Sequence, residues 1–112
     1  MLDAVTSNLQ RYLDLLSTRQ KLVASNIANA DTPGYKTEDI DFQCEYASLL
    51  NGQPPLTYEP PGLPEKPDGN NVSMDRETRM LAENAMRFNV ASTLITGQIK
   101  SIRSAIDEGK NG

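Results

Sequence analysis

Apolar residues near the start of the chain recur at alternating intervals of four and three positions. This spacing is close to the 3.5-residue period that lines side chains along one face of a coiled-coil helix. The pattern predicts a helix over residues 5–29, roughly 40 Å long at ~1.5 Å per residue. Polar Gln20 interrupts the stripe, which can fix the register of a coiled coil at some cost in stability. The predicted seam of this helix consists of Leu9, Leu13, Leu16, Val23 and Ile27.

The same alternation runs through the last third of the chain without a slip. It predicts a second helix over residues 74–106, roughly 50 Å long. Ser73 directly precedes this run and is expected to be its N-cap residue. Seam residues seven positions apart should point into the same packing contact, whereas Lys100 should lie on the solvated side of the helix. The predicted seam of this helix consists of Leu81, Phe88, Ile95, Ile99 and Ile102.

The middle of the chain, residues 31–71, carries no helical or strand periodicity and is expected to be irregular. Six prolines fall between Gln53 and Gly69, and proline lacks the backbone donor that regular helices and central strands require. This segment is interpreted as an extended or mobile linker. A ligand for a proline-recognition module is the alternative, although a convincing motif core is missing. The acidic residues Glu38, Asp39 and Asp41 are expected to form a solvated or partner-facing turn.

These patterns together predict an all-α fold. Two long amphipathic terminal helices form a coiled-coil-like core, and an irregular Pro-rich middle segment joins them. The predicted divisions are residues 1–30 for the N-terminal helix, 31–72 for the turn and linker, and 73–112 for the C-terminal helix and tail.

The string SNIANADTPGYK joins the first helix to the middle segment. Pro33 and Gly34 fit the centre of a type II turn, because proline presets φ and glycine supplies a positive φ. Pro33 also disfavours a helical conformation at Thr32, so the first helix should end before it. The candidate turn residues are Ser25, Asn26, Asn29, Thr32, Pro33, Gly34, Tyr35 and Lys36.

Composition argues against several classes of function. The 112 residues have a net charge of −4 and no His. Without a basic block, nucleic-acid binding is not expected. The chain also lacks a phosphate-binding glycine loop, and the lone Cys44 has no His to act as its partner. No catalytic, metal or cofactor site and no small-molecule substrate is therefore expected. The N-terminus lacks the pattern of a cleaved signal peptide, and a membrane span is not expected.

Two amphipathic helices of this length form a thin unit that leaves apolar surface for neighbouring subunits. One antiparallel pairing within the chain could cover much of both stripes, and the remainder favours assembly into a larger structure. A helical adaptor or chaperone that binds other proteins through its seams is the alternative from a different class.

The SNIANADTPGYK string resembles the signature of bacterial flagellar rod and hook proteins. The following DIDF, together with GNNVSMDRE and LAENAMRF further along, is similar to the proximal rod members of that family. The resemblance covers residues 19–43 and 68–106 and leaves the proline segment unmatched. One departure is Arg76, which stands where an acidic residue would complete a capping box with Ser73, so the exact start of the second helix stays open.

The resemblance implies a structural subunit of the proximal rod of the flagellar basal body. Such a subunit builds a helical coiled-coil core from both chain ends and packs into a hollow rod across the periplasmic space. The rod transmits torque from rotor to hook and is required for motility. The implied partners are further copies of the chain, other rod proteins, and basal-body adaptor and export-gate components. Export would proceed through the flagellar type III apparatus without a cleaved signal peptide.

Overall fold

The computed structural model describes residues 2–49 and 55–111. Within these ranges it contains three α-helices: α1 (Leu2–Ala28), α2 (Phe42–Leu49) and α3 (Met74–Asn111). The two long helices pack against each other, and α2 packs against α1. The described residues form no strand, only an isolated antiparallel bridge between Asp39 and Tyr58. The predicted all-α class with a core of two terminal helices is therefore confirmed.

Contacts between α1 and α3 show that the two helices run antiparallel. The Arg19 guanidinium contacts the Met80 sulfur, Asn84 donates to the Leu16 carbonyl, and Arg87 donates to the Tyr12 hydroxyl. Residues nearer the N-terminus of α1 thus contact residues nearer the C-terminus of α3. Because both helices rise ~1.5 Å per residue, the start of α1 lies at about the level of residue 98. The last part of α3, from about residue 99 onwards, extends beyond α1.

The helix α3 begins where the pattern predicts. The backbone N–H of Arg76 donates to the Ser73 hydroxyl at 3.2 Å, which is the N-cap interaction expected of a serine in this position. The helix starts at Met74 although Arg76 cannot complete a capping box. It continues to Asn111, five residues past the predicted end.

The helix α2 was not predicted, so the middle segment is less irregular than expected. Asp41 is its N-cap: the Cys44 backbone N–H donates to the Asp41 carboxylate at 3.2 Å. The helix is held by aromatic contacts, because Tyr12 of α1 packs edge-on against Phe42 and Tyr46 at centroid distances of 5.2 and 5.9 Å. Its two turns are too short to show a helical period, and tertiary packing stabilises it.

The chain from Pro55 to Ser73 contains neither helix nor strand, in agreement with its proline content. It is nevertheless attached to the rest of the fold at both ends. Asp39 and Tyr58 exchange backbone hydrogen bonds of 2.9 and 2.8 Å near its start, and Asn71 is held near its end. The first two residues of the predicted linker, Gln53 and Pro54, lie outside the described residues.

Few apolar side chains are fully buried in a single subunit. Leu16 and Val23 of α1 belong to the predicted seam, whereas the buried Leu15 next to Leu16 does not. Ala91 is the corresponding buried residue of α3. The buried apolar residues are Leu15, Leu16, Val23, Ile40, Val72 and Ala91.

Candidate assembly site

The turn after α1 has the predicted type II geometry. The Tyr35 backbone N–H donates to the Thr32 carbonyl at 3.2 Å, and Gly34 between them has a φ of +75°. Side chains close the end of α1: Asn29 donates to the Ser25 carbonyl at 2.9 Å, and the Thr32 hydroxyl donates to the Asn29 amide oxygen at 3.0 Å. The helix end and the turn are therefore one hydrogen-bonded unit.

Asn26 attaches the chain after the turn to α1. Its side-chain amide donates to the Glu38 carbonyl at 2.9 Å and accepts from the Glu38 backbone N–H at 3.1 Å. The Tyr35 hydroxyl donates to the same amide oxygen at 2.9 Å. Asn26 is only 1% exposed, so these bonds satisfy a polar side chain that would be costly to bury alone.

The loop before α3 docks onto this turn. The Asn70 amide donates to the carbonyls of Asn29 and Thr32, both at 2.8 Å. The Gly34 backbone N–H donates to the Asp68 carbonyl at 2.9 Å. The backbone N–H of Thr37 donates to the Asn71 side chain at 2.7 Å. Lysines add to the contact: Lys36 bonds Glu65, and Lys66 bonds the Ala30 carbonyl.

Gly69 lies at this docking contact, and its backbone conformation favours glycine. It has a φ of +87°, a conformation that side-chain-bearing residues rarely adopt. A β-carbon there would lie 3.5 Å from the Gly34 α-carbon. The two motifs that sequence analysis treated separately thus form a single structure. We call it the polar junction, defined by Asn26, Asn29, Thr32, Tyr35, Asn70 and Asn71.

A buried ionic cluster lies beside the polar junction and joins α1, the loop before α2, and α3. Arg19 of α1 donates to both Asp39 carboxylate oxygens at 3.2 Å, and Arg76 of α3 bonds one of them as well. Arg76 also pairs with Glu77 at 2.8 Å. Asp39 is 2% exposed, so the expectation of a solvated acidic turn is wrong for this residue. The loop carries Asp39 between two helices, and two guanidinium groups offset the cost of burying its charge.

The ion pairs of Arg76 explain why an arginine, and not an acidic residue, stands three positions after the N-cap Ser73. Burial acts to lower the pKa of Arg76, but hydrogen bonds and charge from Asp39 and then Glu77 outweigh it, so the pKa lies above its ordinary value. The guanidinium therefore stays charged in the folded subunit. An acidic residue at this position could not bind Asp39, since two carboxylates would repel.

A second arginine of α3 supports α2. Arg87 bonds Tyr12 and, at 2.8 Å, Glu83, and it lies over the Phe42 ring at 5.2 Å. The hydrogen bond to Tyr12 is the largest effect on the pKa of Arg87. Burial acts to lower this pKa, but the bonds to Tyr12 and Glu83 together raise it above its ordinary value. The contact between Glu83 and Arg87 is an ion pair between positions four apart on the helix.

The predicted seam residues of α1 and α3 differ in burial. In α1, Leu16 and Val23 are buried, and Leu9, Leu13 and Ile27 are half-buried. In α3, Ile95 and Ile102 are half-buried. The other three stay exposed: Leu81 by 36%, Phe88 by 45% and Ile99 by 43%.

The α3 seam is exposed because α1 contacts a neighbouring face of that helix. The face of α3 that meets α1 carries Glu77, Met80, Asn84, Arg87 and Ala91, of which Glu77, Asn84 and Ala91 are buried. The antiparallel pairing therefore covers the α1 stripe but leaves much of the α3 stripe open. The expectation that one pairing could cover much of both stripes is correct for α1 only.

A second apolar face of α3 is also exposed. Met86, Val90 and Leu94 recur at intervals of four and lie on the far side of the helix from Leu81 and Phe88. A helix that is apolar on several sides is normally buried on several sides. Within the described part of the subunit, α1 is the main helix packed against α3, and it leaves this second face open.

The described ranges hold no group of three or more His, Cys, Asp or Glu placed to bind a metal ion. Across residues 2–49 and 55–111, no helix combines the length and hydropathy needed to cross a bilayer.

Comparisons with known proteins agree with this arrangement. The family model described as "Flagella basal body rod protein" matches residues 13–36, which include the second half of α1 and the turn. A flagellar basal body rod protein FlgB of Yersinia enterocolitica is 35% identical over 133 aligned positions, covering 96% of this chain and 97% of the relative. The FlgB protein of Escherichia coli K12 is 34% identical with 96% of each covered, and that of Borrelia hermsii is 32% identical with 86% and 90% covered.

These matches place the chain in the class of structural components of the bacterial flagellar basal body rod. Within that class, the chain belongs to the FlgB family. The Yersinia alignment has more positions than this chain has residues, so that relative carries residues that this chain lacks. The family assignment connects the chain to flagellum-dependent motility.

Proposed function

We propose that this chain is a structural subunit of the proximal rod, which polymerises through its terminal helices and helps to transmit torque from rotor to hook. The observation that carries the proposal is the exposed apolar surface of α3. Phe88 and Leu94 lie on different sides of this helix, and both are about half exposed in the single subunit. Packing against neighbouring subunits would bury these side chains at ~25 cal/mol per Å² of apolar area.

The internal bonding of the subunit supports a role in torque transmission. A torque-bearing subunit must keep its helices in a fixed relation while force passes through it. Here Asp39 joins α1 to α3 through Arg19 and Arg76, and Asn70 joins the α3 loop to the end of α1. Directional bonds of this kind resist sliding of one helix along the other.

The proposed partners are further copies of the chain, the other rod proteins, and basal-body adaptor and export-gate components. The eight turn residues are proposed to set the path of the chain between the helices, and the ten seam residues to supply intersubunit contacts. The three segments 1–30, 31–72 and 73–112 remain the proposed division of the chain. The subunit is further proposed to reach the rod by flagellar type III export without a cleaved signal peptide.

The experiment that tests this function is deletion of the gene in its own bacterium. We expect non-swimming cells whose basal bodies lack a complete rod, and a plasmid-borne copy should restore both. Basal bodies purified from the restored strain should contain the chain, and mass spectrometry of its N-terminus should show no removed signal peptide. Normal swimming with a normal rod after deletion would remove the proposal.

A further inference from the structure

An apolar groove runs between α1 and α3 on the side where the α3 seam is exposed. It has a volume of about 390 Å³ and is open along its length. The α3 wall of the groove is formed by Leu81, Ala85 and Phe88. The α1 wall is more polar and consists of Leu16, Ser17, Gln20 and Lys21. The α3 residues of the groove are spaced by four and three, which is the spacing that accepts a second helix alongside.

Asn84 at the base of this groove has an unsatisfied hydrogen-bonding atom. Its amide nitrogen donates to the Leu16 carbonyl and to the Gln20 side chain, at 3.3 and 3.2 Å. Its amide oxygen is buried and has no hydrogen-bond partner among the described residues. Buried polar atoms of native proteins nearly always have partners, so this oxygen is an exception within the subunit.

The same chain carries a helix end that matches this groove. We call residues 99–111 of α3 the overhang, because they extend beyond the start of α1. Ile99 and Ile106 are exposed in the overhang and Ile102 is half-buried. Their spacing of three and four places them on one side of the helix. The chain thus has an apolar groove at one level and an uncovered apolar helix end about 17 residues further along.

We propose that the overhang of one copy fills the groove of a second copy, with the two α3 helices parallel. This inference rests on the proposed rod function and names the contact that would build the polymer. Groove and overhang are different surfaces, so the contact is heterologous and leaves a free groove and a free overhang at the two ends. Contacts of this kind that do not close a ring produce helical filaments.

Charges at the edge of the groove fit this docking. When Ile99 and Ile106 lie at the levels of Leu81 and Phe88 in the second copy, Arg103 lies at about the level of residue 85. The antiparallel pairing places Asp14 at that level, on the exposed outer side of α1 near the groove residue Ser17. The docked helix therefore brings the Arg103 cation beside the exposed Asp14 carboxylate.

Cysteine cross-linking tests the contact directly. Cys44, the only cysteine of the chain, is replaced by Ser, and Ala85→Cys and Ile102→Cys are introduced together. These positions lie about 25 Å apart on one helix, whereas a disulfide requires α-carbons within about 7 Å. Any disulfide must therefore join two copies. Oxidised basal bodies that contain this variant as their only copy should give a series of dimer, trimer and larger products.

The single-cysteine variants are the matched controls. Each alone should give no cross-linked product, and a mixture of the two should give dimers only. Dimers from Ala85→Cys alone would mean that grooves face each other in a closed pair, which would overturn the proposal. The absence of multimers from basal bodies that contain the double variant would also overturn the proposal. The proposed rod function would be unaffected by that result, because the chain would still be present in the basal body.

A charge reversal covers the case in which the cysteine variant does not assemble. Arg103→Asp and Asp14→Arg should each reduce the swimming rate several-fold, and the double reversal should restore it towards the wild-type value. No recovery in the double reversal would overturn the proposed register. Absence of the unmodified chain from basal bodies would instead contradict the proposed function itself.

Discussion

The polar junction contains buried polar side chains, whereas the outer faces of α3 carry exposed apolar side chains. The junction buries the polar side chains of Asn26, Asn70 and Asn71, and the ionic cluster beside it buries Asp39. The outer faces of α3 are exposed but carry Leu81, Phe88, Val90 and Leu94. Among the described residues, nine buried side chains are polar or charged and six are apolar. A single subunit therefore depends on polar contacts for much of its internal order.

The difference shows how one chain can separate folding from assembly. Hydrogen bonds and ion pairs are directional, so they hold α1, the loops and α3 in one arrangement. Apolar contact is non-directional and scales with buried area, which suits surfaces that pack against several neighbours. Changes in the junction should consequently affect the stability of the subunit, whereas changes on α3 should affect the polymer. The four predictions below test this division.

The largest effect on the subunit is expected from Asp39→Ala. It leaves two arginines without their shared carboxylate in a buried position, which should destabilise the fold by about 3–5 kcal/mol. Urea unfolding of the purified subunit, followed by circular dichroism, measures this. The control is Glu38→Ala, the exposed neighbour, whose backbone bonds to Asn26 are retained. Equal unfolding midpoints for both variants would show that the ionic cluster does not hold the helices together.

Phe88→Ala should have a similar effect in the polymer and little effect on the subunit. If the ring is fully buried in the rod, its loss costs ~3–5 kcal/mol per subunit, and swimming and rod assembly should fail. The unfolding midpoint of the free subunit should change little, because the ring is 45% exposed there.

Lys100→Ala is the control for this substitution. Lys100 is exposed, and its replacement should be silent within about ±0.5 kcal/mol. Normal rods with Phe88→Ala, together with failed rods with Lys100→Ala, would mean that the seam has been assigned to the wrong face of α3.

Asn26→Ala should have an intermediate effect. It removes three hydrogen bonds and leaves the backbone groups of Glu38 without their partner, at a cost of about 1–3 kcal/mol. Thermal unfolding of the subunit should show the loss. Asn8→Ala is the matched control, because Asn8 is an exposed asparagine of the same helix. If the two substitutions lower the melting temperature equally, the junction amides are not specific stabilisers.

Gly34→Val should have the smallest effect on stability. A β-branched residue is strained at a φ of +75°, at a cost of about 1–2 kcal/mol, although nothing nearby would clash with a β-carbon. We expect loss of swimming with the protein still produced, because the chain after α1 would be misdirected. Gly34→Asn should be milder, since asparagine tolerates this conformation. Wild-type swimming by the Val variant would show that the rod accepts a rearranged turn.

Local features of this protein could be predicted from the sequence because neighbouring residues determine them. The alternating apolar spacing predicted both long helices, Ser73 predicted the start of α3, and Pro33 with Gly34 predicted a type II turn. The short helix α2 had only a local capping signal, Asp41, which was not recognised. Its stability comes from contacts with Tyr12, which lies 30 positions earlier in the chain.

The tertiary structure decided which surfaces meet. Neither the burial of Asp39 nor the docking of Asn70 onto the turn has a periodic signal, because each depends on residues more than 35 positions apart. The face of α3 that meets α1 could not be predicted for the same reason. Periodicity identifies the most apolar face of a helix, but Glu77, Asn84 and Arg87 lie on the α1-facing side here. The bonds of Asn84 and Arg87 to α1 fix how the two helices are rotated against each other.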